Sequence, residues 1–136
     1  MNTSFIRVGT LYLPVHHVER AANWYEGKLD AAVNYLDDKK AIIDLAGLSL
    51  FLVKGMGGET ANFQDAEGDV RFSITFEVDG ADELECLHKK LQDKGVHVGR
   101  IEERGHPGKN FVFHDMDGNM FDVWSELSPT YRKTKN

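Results

Sequence analysis

The chain has a single cysteine, Cys86, so no intrachain disulfide can form and a reducing, cytoplasmic setting is expected. It lacks any apolar run long enough to span a bilayer. Met1 to Arg7 in particular has none, so neither a signal peptide nor a membrane partner is expected. Positive charge is also scarce, with 16 Lys and Arg against 22 Asp and Glu and a net charge of −6. Such a balance disfavours a nucleic-acid partner, because phosphate binding needs a concentrated basic face. The one basic cluster, Tyr131-Arg132-Lys133-Thr134-Lys135-Asn136, follows Pro129 and reads as a solvated end. What the chain does have is 41% hydrophobic residues over 136 positions, enough for one domain with an ordinary core.

It also has a repeat. Shifted by 63 positions (78 − 15), Thr10-Leu11-Tyr12-Leu13-Pro14-Val15 lies over Ser73-Ile74-Thr75-Phe76-Glu77-Val78, Asp30 over Asp93 and Val33 over Val96. Two copies are too few for a solenoid or propeller, so the repeat predicts one domain with pseudo-twofold symmetry and a site where its halves meet.

Each copy reads as a strand, a helix and three further strands. Val8 to Val15 alternates, with Leu11, Leu13 and Val15 on one face and Thr10 and Tyr12 on the other. Val18, Ala21, Ala22, Tyr25 and Leu29 then form a helical stripe, weakened near its end by Gly27. Strands are predicted at Val33–Leu36, Ala41–Leu45 and Leu48–Lys54. The aperiodic stretch from Gly55 to Asp69 reads as a linker. The second copy opens with Phe72, Ile74, Phe76 and Val78 alternating with Arg71, Ser73, Thr75 and Glu77. Its helix is predicted to start after an Asp79 cap, to carry Leu84, Leu87 and Leu91, and to stop at Gly95. Strands follow at Val96–Glu102, Asn110–Asp115 and Met120–Ser125, the last two joined by the turn Asp117-Gly118-Asn119. The expected class is α+β: two βαβββ modules, about 5–54 and 70–126, with a linker at 55–69 and a tail at 127–136. The leucine-rich faces must meet the helices, leaving Thr10, Tyr12, Ser49, Phe51, Val53, Ser73, Thr75, Asp122 and Trp124 to line the remaining space.

These segments resemble the vicinal oxygen chelate superfamily of glyoxalase I, bleomycin-resistance proteins and extradiol dioxygenases. Three stretches carry the likeness: Leu11 to Val15 leading into Asn23-Trp24-Tyr25 and Leu29-Asp30-Ala31; Ile74 to Asp79 with Gly95-Val96; and Phe113-His114-Asp115-Met116-Asp117-Gly118-Asn119-Met120-Phe121-Asp122-Val123, with Met116 where the family usually has proline. Together they span roughly Val8 to Ser125. The resemblance implies a cup-shaped sheet built from the two modules, with helices on its outer face. In metal-dependent members it implies a divalent ion held by His and Glu from inner strands. Carried onto this chain, the first-strand ligand falls on Thr10, its counterpart in the second module on Ser73, and the last-strand acid on Asp122. The fourth-strand position falls on Ser49 or Phe51, depending on register. Such sites generally use about three imidazole or carboxylate ligands, and here the matching positions supply one carboxylate and two hydroxyls. No metal or other cofactor is expected, although a divalent metal at a displaced position stays open.

Of the histidines, His16 and His17 read as loop or first-turn residues, and His88 and His97 as surface or boundary residues. His106 is placed at the rim of the cup. His114 could face Asp122 across a hairpin, either as an acid–base dyad or as a hydrogen-bonded pair near a turn. Tyr12, Phe51 and Trp124 offer flat apolar faces, and Thr10, Ser49, Ser73, Thr75 and Asp122 offer polar contacts, a mixture suited to a small-molecule ligand. Arg71 reads as a surface salt-bridge partner. The leading expectation is metal-independent binding of a small, partly apolar or aromatic molecule. The alternatives are a glyoxalase-like lyase or isomerase, or a dioxygenase-type enzyme, using a divalent metal or Asp122 with His114. A non-catalytic interaction module is a third reading. Homodimerisation agrees with the family resemblance.

Overall fold

The computed structural model describes residues 3–135, divided into two compact units at the Thr60–Ala61 junction. The first unit runs β1 (Thr10–Val15), α1 (Val18–Leu29), β2 (Ala32–Leu36), β3 (Lys40–Leu45) and β4 (Leu48–Lys54). Its sheet has the order β1-β4-β3-β2, with β1 parallel to β4 and the other pairs antiparallel. Leu13, Val15, Ala41, Ile43, Leu50 and Leu52 are buried on one face with Ala21, Ala22 and Tyr25 of α1, as the two periodicities require. Ala46 and Gly47, both at positive φ, make the tight turn between β3 and β4. Asp30 closes α1 in the left-handed region, its N–H returning to the Tyr25 carbonyl. A Cβ built on Gly27 meets nothing within 4 Å. Gly27→Ala is therefore expected to stabilise the protein by about 0.5–1 kcal/mol, measured by urea denaturation, because it removes only backbone freedom from the unfolded chain.

The second unit begins with a hairpin of β5 (Phe63–Gln64) and β6 (Val70–Arg71), within and just after the segment expected to be a plain linker. Asp65 makes this hairpin: its Oδ1 accepts from the Glu67 and Asp69 N–H groups, and the main chain closes between Asp65 and Asp69. The second module follows as β7 (Thr75–Glu77), α2 (Ala81–Asp93), β8 (His97–Val98), β9 (Asn110–His114) and β10 (Met120–Trp124), then α3 (Pro129–Lys135). The sheet order β7-β10-β9-β8 has the same topology as the first, so the fold is α+β with two βαβββ modules. Leu84 and Leu91 of α2 are buried, as are Phe111, Phe113, Phe121 and Val123.

Several boundaries differ from the sequence expectation. The strand expected over Phe72–Val78 is shortened to β7, and just before it Ser73 donates its hydroxyl to the Ala61 carbonyl at 3.2 Å. The helix cap is Gly80 at φ 106, not Asp79. The strand expected over Val96–Glu102 stops at Val98, where Gly99 N–H reaches the Val112 carbonyl at 2.7 Å. Pairing resumes only at a bridge between Glu102 and Asn110. The tail, read as a solvated end, forms α3. Its side chains from Lys133 onward lie outside the described residues. Among the described residues no helix is long and apolar enough to cross a membrane.

Candidate functional site

The two strands β9 and β10 decide which side chains face away from α2. Their register places Met120 opposite His114, Asp122 opposite Val112 and Trp124 opposite Asn110. Strand alternation therefore puts Asn110, Val112, His114, Met120, Asp122 and Trp124 on one face, and the buried phenylalanines on the other. β7 runs parallel to β10 and adds Thr75 beside Asp122 and Glu77 beside Trp124. Over this face lies a pocket of about 650 Å³, whose walls include Phe72, Arg104, His106, Leu127 and Arg132 as well as Thr75, Asn110, Asp122 and Trp124.

Asp122 is 2% exposed, and everything around it answers its charge. Its Oδ2 accepts from Thr75 Oγ1 at 3.0 Å and from Asn110 Nδ2 at 2.9 Å. Its Oδ1 lies 3.0 Å from Arg104 Nη1, an ion pair without a well-aligned hydrogen bond. A buried carboxylate is tolerable only when paired and hydrogen-bonded in this way. Arg104 is itself held by Glu102, whose Oε1 accepts from Nε at 3.2 Å, and its guanidinium carbon lies 5.7 Å from the Phe72 ring centre. Trp124 donates its indole N–H to the Pro107 carbonyl at 2.9 Å and meets the His106 ring edge-on at 5.8 Å. Gly108, at φ 83, makes this approach feasible: a Cβ there would lie 2.8 Å from Trp124 Nε1 and 2.7 Å from Glu126 Cγ.

The site residues expected from the sequence are thus divided between the modules. Thr75, Asp122 and Trp124 converge on this pocket. Ser73 bonds to Ala61 instead. In the first module Thr10 pairs with Ser49 and Tyr12 with Phe51, the two rings 5.1 Å apart. These pairings also fix the open register: Tyr12, the repeat counterpart of Thr75, lies beside Phe51 as Thr75 lies beside Asp122. Phe51 is therefore the counterpart of Asp122, and it carries no ligand atom.

The expected His114–Asp122 contact is not made. His114 sits opposite Met120, its ring stacks on His97 at 4.7 Å, and its buried Nδ1 has no hydrogen-bond partner. Burial, reinforced by the charge of His97, holds the His114 imidazole below its ordinary pKa, against a smaller opposing pull from Asp115. The unfolded chain therefore takes up this proton first as pH falls. Stability is expected to decline from the ordinary imidazole value down to the lowered folded one and then level off. Denaturation midpoints between pH 7.5 and 5 should show that slope, and His114→Gln should flatten it.

His88, expected at the surface or boundary, is tied to the Gly99 carbonyl at 2.8 Å and packs edge-on against Phe111. Arg71 forms the anticipated exposed pair, with Asp65 at 3.9 Å. Sequence reasoning missed Phe72 as a pocket wall, together with Arg104, Asn110 and Arg132. Alternation along β9 was a usable signal for Asn110. Arg104, in an irregular segment, had none.

The family model of the Glyoxalase/Bleomycin resistance protein/Dioxygenase superfamily matches residues 7–123. The chain belongs to this superfamily. Solved members of the fold agree with it at low identity. A lactoylglutathione lyase from Agrobacterium tumefaciens is 13% identical with a TM-score of 0.70, over 90% of this chain and 95% of that one. A glyoxylase/bleomycin resistance protein/dioxygenase domain from Frankia sp. EAN1pec is 22% identical with a TM-score of 0.70, over 91% and 100%. The fosfomycin resistance protein FosX from Listeria monocytogenes, solved with Mn(II) and sulfate, is 17% identical with a TM-score of 0.68, over 99% and 100%. No curated protein matches the chain.

A divalent metal, as used by some members of the superfamily, does not fit the Asp122 site. Oδ2 already accepts two hydrogen bonds, Oδ1 faces a guanidinium, and the neighbouring Thr75 and Asn110 are neutral groups engaged as donors. A cation at Asp122 would have to displace Arg104, and among the described residues no three His, Cys, Asp or Glu side chains are grouped so as to hold one.

Proposed function

We propose that the protein binds a small, partly apolar or aromatic molecule in the second module's pocket, without a metal centre. The observation that carries this reading is the pocket itself. Its volume of about 650 Å³ suits a drug-sized ligand, and Phe72, Trp124 and Leu127 give it apolar surface. Thr75, Arg104, Asn110 and Asp122 form one connected polar cluster among its charged and polar lining residues. Membership of a superfamily that includes resistance proteins agrees with it. A ligand lying against Trp124 and Phe72 would bury its flat face, while its polar atoms would meet the Arg104 and Asp122 groups. The enzymatic alternative through Asp122 and His114 lacks the contact that proton transfer between them requires.

Ligand-observed NMR against a library of flat aromatic molecules, followed by fluorescence titration of the hits, tests the proposal. Saturable one-to-one binding that Trp124→Ala weakens at least tenfold is expected. Hits that bind the Trp124→Ala variant equally well would place the site elsewhere. An equivalent of Zn²⁺, Ni²⁺ or Fe²⁺ retained on purification and lost in Asp122→Ala would contradict the metal-free reading.

A further inference from the structure

We propose that Arg104 is the resident cation of the Asp122 site, a guanidinium standing where a metal-dependent relative would hold a divalent ion. Three observations converge on it. Asp122 is buried, and a carboxylate in such a place is tolerated as an anion when it is hydrogen-bonded and paired with a positive charge. Arg104 Nη1 supplies that charge at 3.0 Å, and among the described residues no other cation is paired with this carboxylate. Arg104 is also locked in place: Glu102 accepts from its Nε, the Phe72 ring lies against its guanidinium, and only 27% of its side chain is exposed.

The substitution changes what the pocket offers a ligand. A metal ion is a Lewis acid with open coordination positions, able to polarise a bound oxygen. A guanidinium is always charged but only donates hydrogen bonds, in a fixed planar fork. Nη1 pairs with Asp122 and Nε donates to Glu102, so the remaining N–H groups of this pocket-lining guanidinium, Nη2 among them, have no protein acceptor among the described residues. Arg104 is in this sense a positioning residue: it balances the charge of Asp122, which Thr75 and Asn110 also orient, from the wall of the same pocket.

Charge swaps separate this role from simple packing. Thermal unfolding would be followed for Arg104→Met, Arg104→Lys, Asp122→Asn and the Arg104→Met/Asp122→Asn double variant. Equilibrium dialysis of the wild type against Mn²⁺, Ni²⁺ and Zn²⁺ would run alongside. Arg104→Met is expected to lower the midpoint by about 5–10 °C, since it strands a buried carboxylate. Removing the stranded charge in the double variant should recover at least half of that loss, and Arg104→Lys should lose less than Arg104→Met. If Arg104→Met alone does not fold, a folded double variant gives the same answer. The wild type is expected to retain no stoichiometric metal, because Asp122 is already paired with Arg104. Additive losses in the double variant, or failure of both to fold, would overturn the assignment. So would one equivalent of metal bound by the wild type and lost in Asp122→Asn. The unfolding measurements need no ligand, so failure of ligand binding would leave the charge assignment untouched. Additive unfolding losses would leave ligand binding untouched, whereas metal bound at Asp122 would overturn both.

Discussion

In a Phe121→Ala variant the unfolding midpoint is expected to fall by about 10–20 °C, corresponding to about 3–5 kcal/mol. Phe121 is fully buried in β10, with ring centres of Phe113 at 5.2 Å and Phe76 at 5.6 Å, and Phe111 continues the cluster 6.5 Å beyond Phe113. Truncation removes the middle ring from this set, and the strands on either side are too tightly paired to collapse into the cavity. The effect should extend to the pocket, because Asp122 is the next residue along the strand and points the other way. A loss below about 1.5 kcal/mol by urea denaturation would mean that the cluster repacks and contributes little to the rigidity of β10.

The second large effect is expected from Asn119→Ala, at about 2–4 kcal/mol. Asn119 is completely buried in the turn between β9 and β10. Its Nδ2 donates to Asp115 Oδ2 at 2.8 Å, and its Oδ1 accepts from the Ala61 N–H at 2.8 Å. Asn62 completes the clamp: its Oδ1 accepts from the Met120 N–H and its Nδ2 donates to the Gly118 carbonyl. Alanine removes both bonds and takes from the Ala61 N–H its side-chain acceptor, and losing a buried partner costs more than the bond itself was worth. Hydrogen exchange should show the Ala61 and Met120 amides losing protection well before the centre of β10. Unchanged protection at both would show that the clamp is not what holds this turn.

The Asn119 clamp also illustrates what was legible beforehand. The Asp-Gly-Asn segment announced a turn through the local conformational freedom of its residues. Nothing local announced that its asparagine would reach the chain 58 positions earlier. The strands and helices were readable for the same reason: alternation at Leu50 and Leu52 and the stripe from Val18 to Tyr25 record burial within single elements. Asp122 was found through a motif and Trp124 through alternation. Arg104 depends on Glu102, Asp122 and Phe72, which come from three separate segments, so no periodicity encodes it. His114 misled because adjacency across a hairpin was inferred from turn position alone. The observed register gives it Met120 as its opposite residue, and its ring settles on His97.

The indole of Trp124 has a consequence for how this protein can be observed. It is one of only two tryptophans, the other being Trp24 on α1, where it meets Tyr25 edge-on at 5.0 Å. With Trp24 replaced by phenylalanine, all remaining tryptophan emission would come from a single chromophore in the wall of the pocket, anchored to the Pro107 carbonyl and close to the His106 ring. The protein carries its own optical gauge of whether that space is filled.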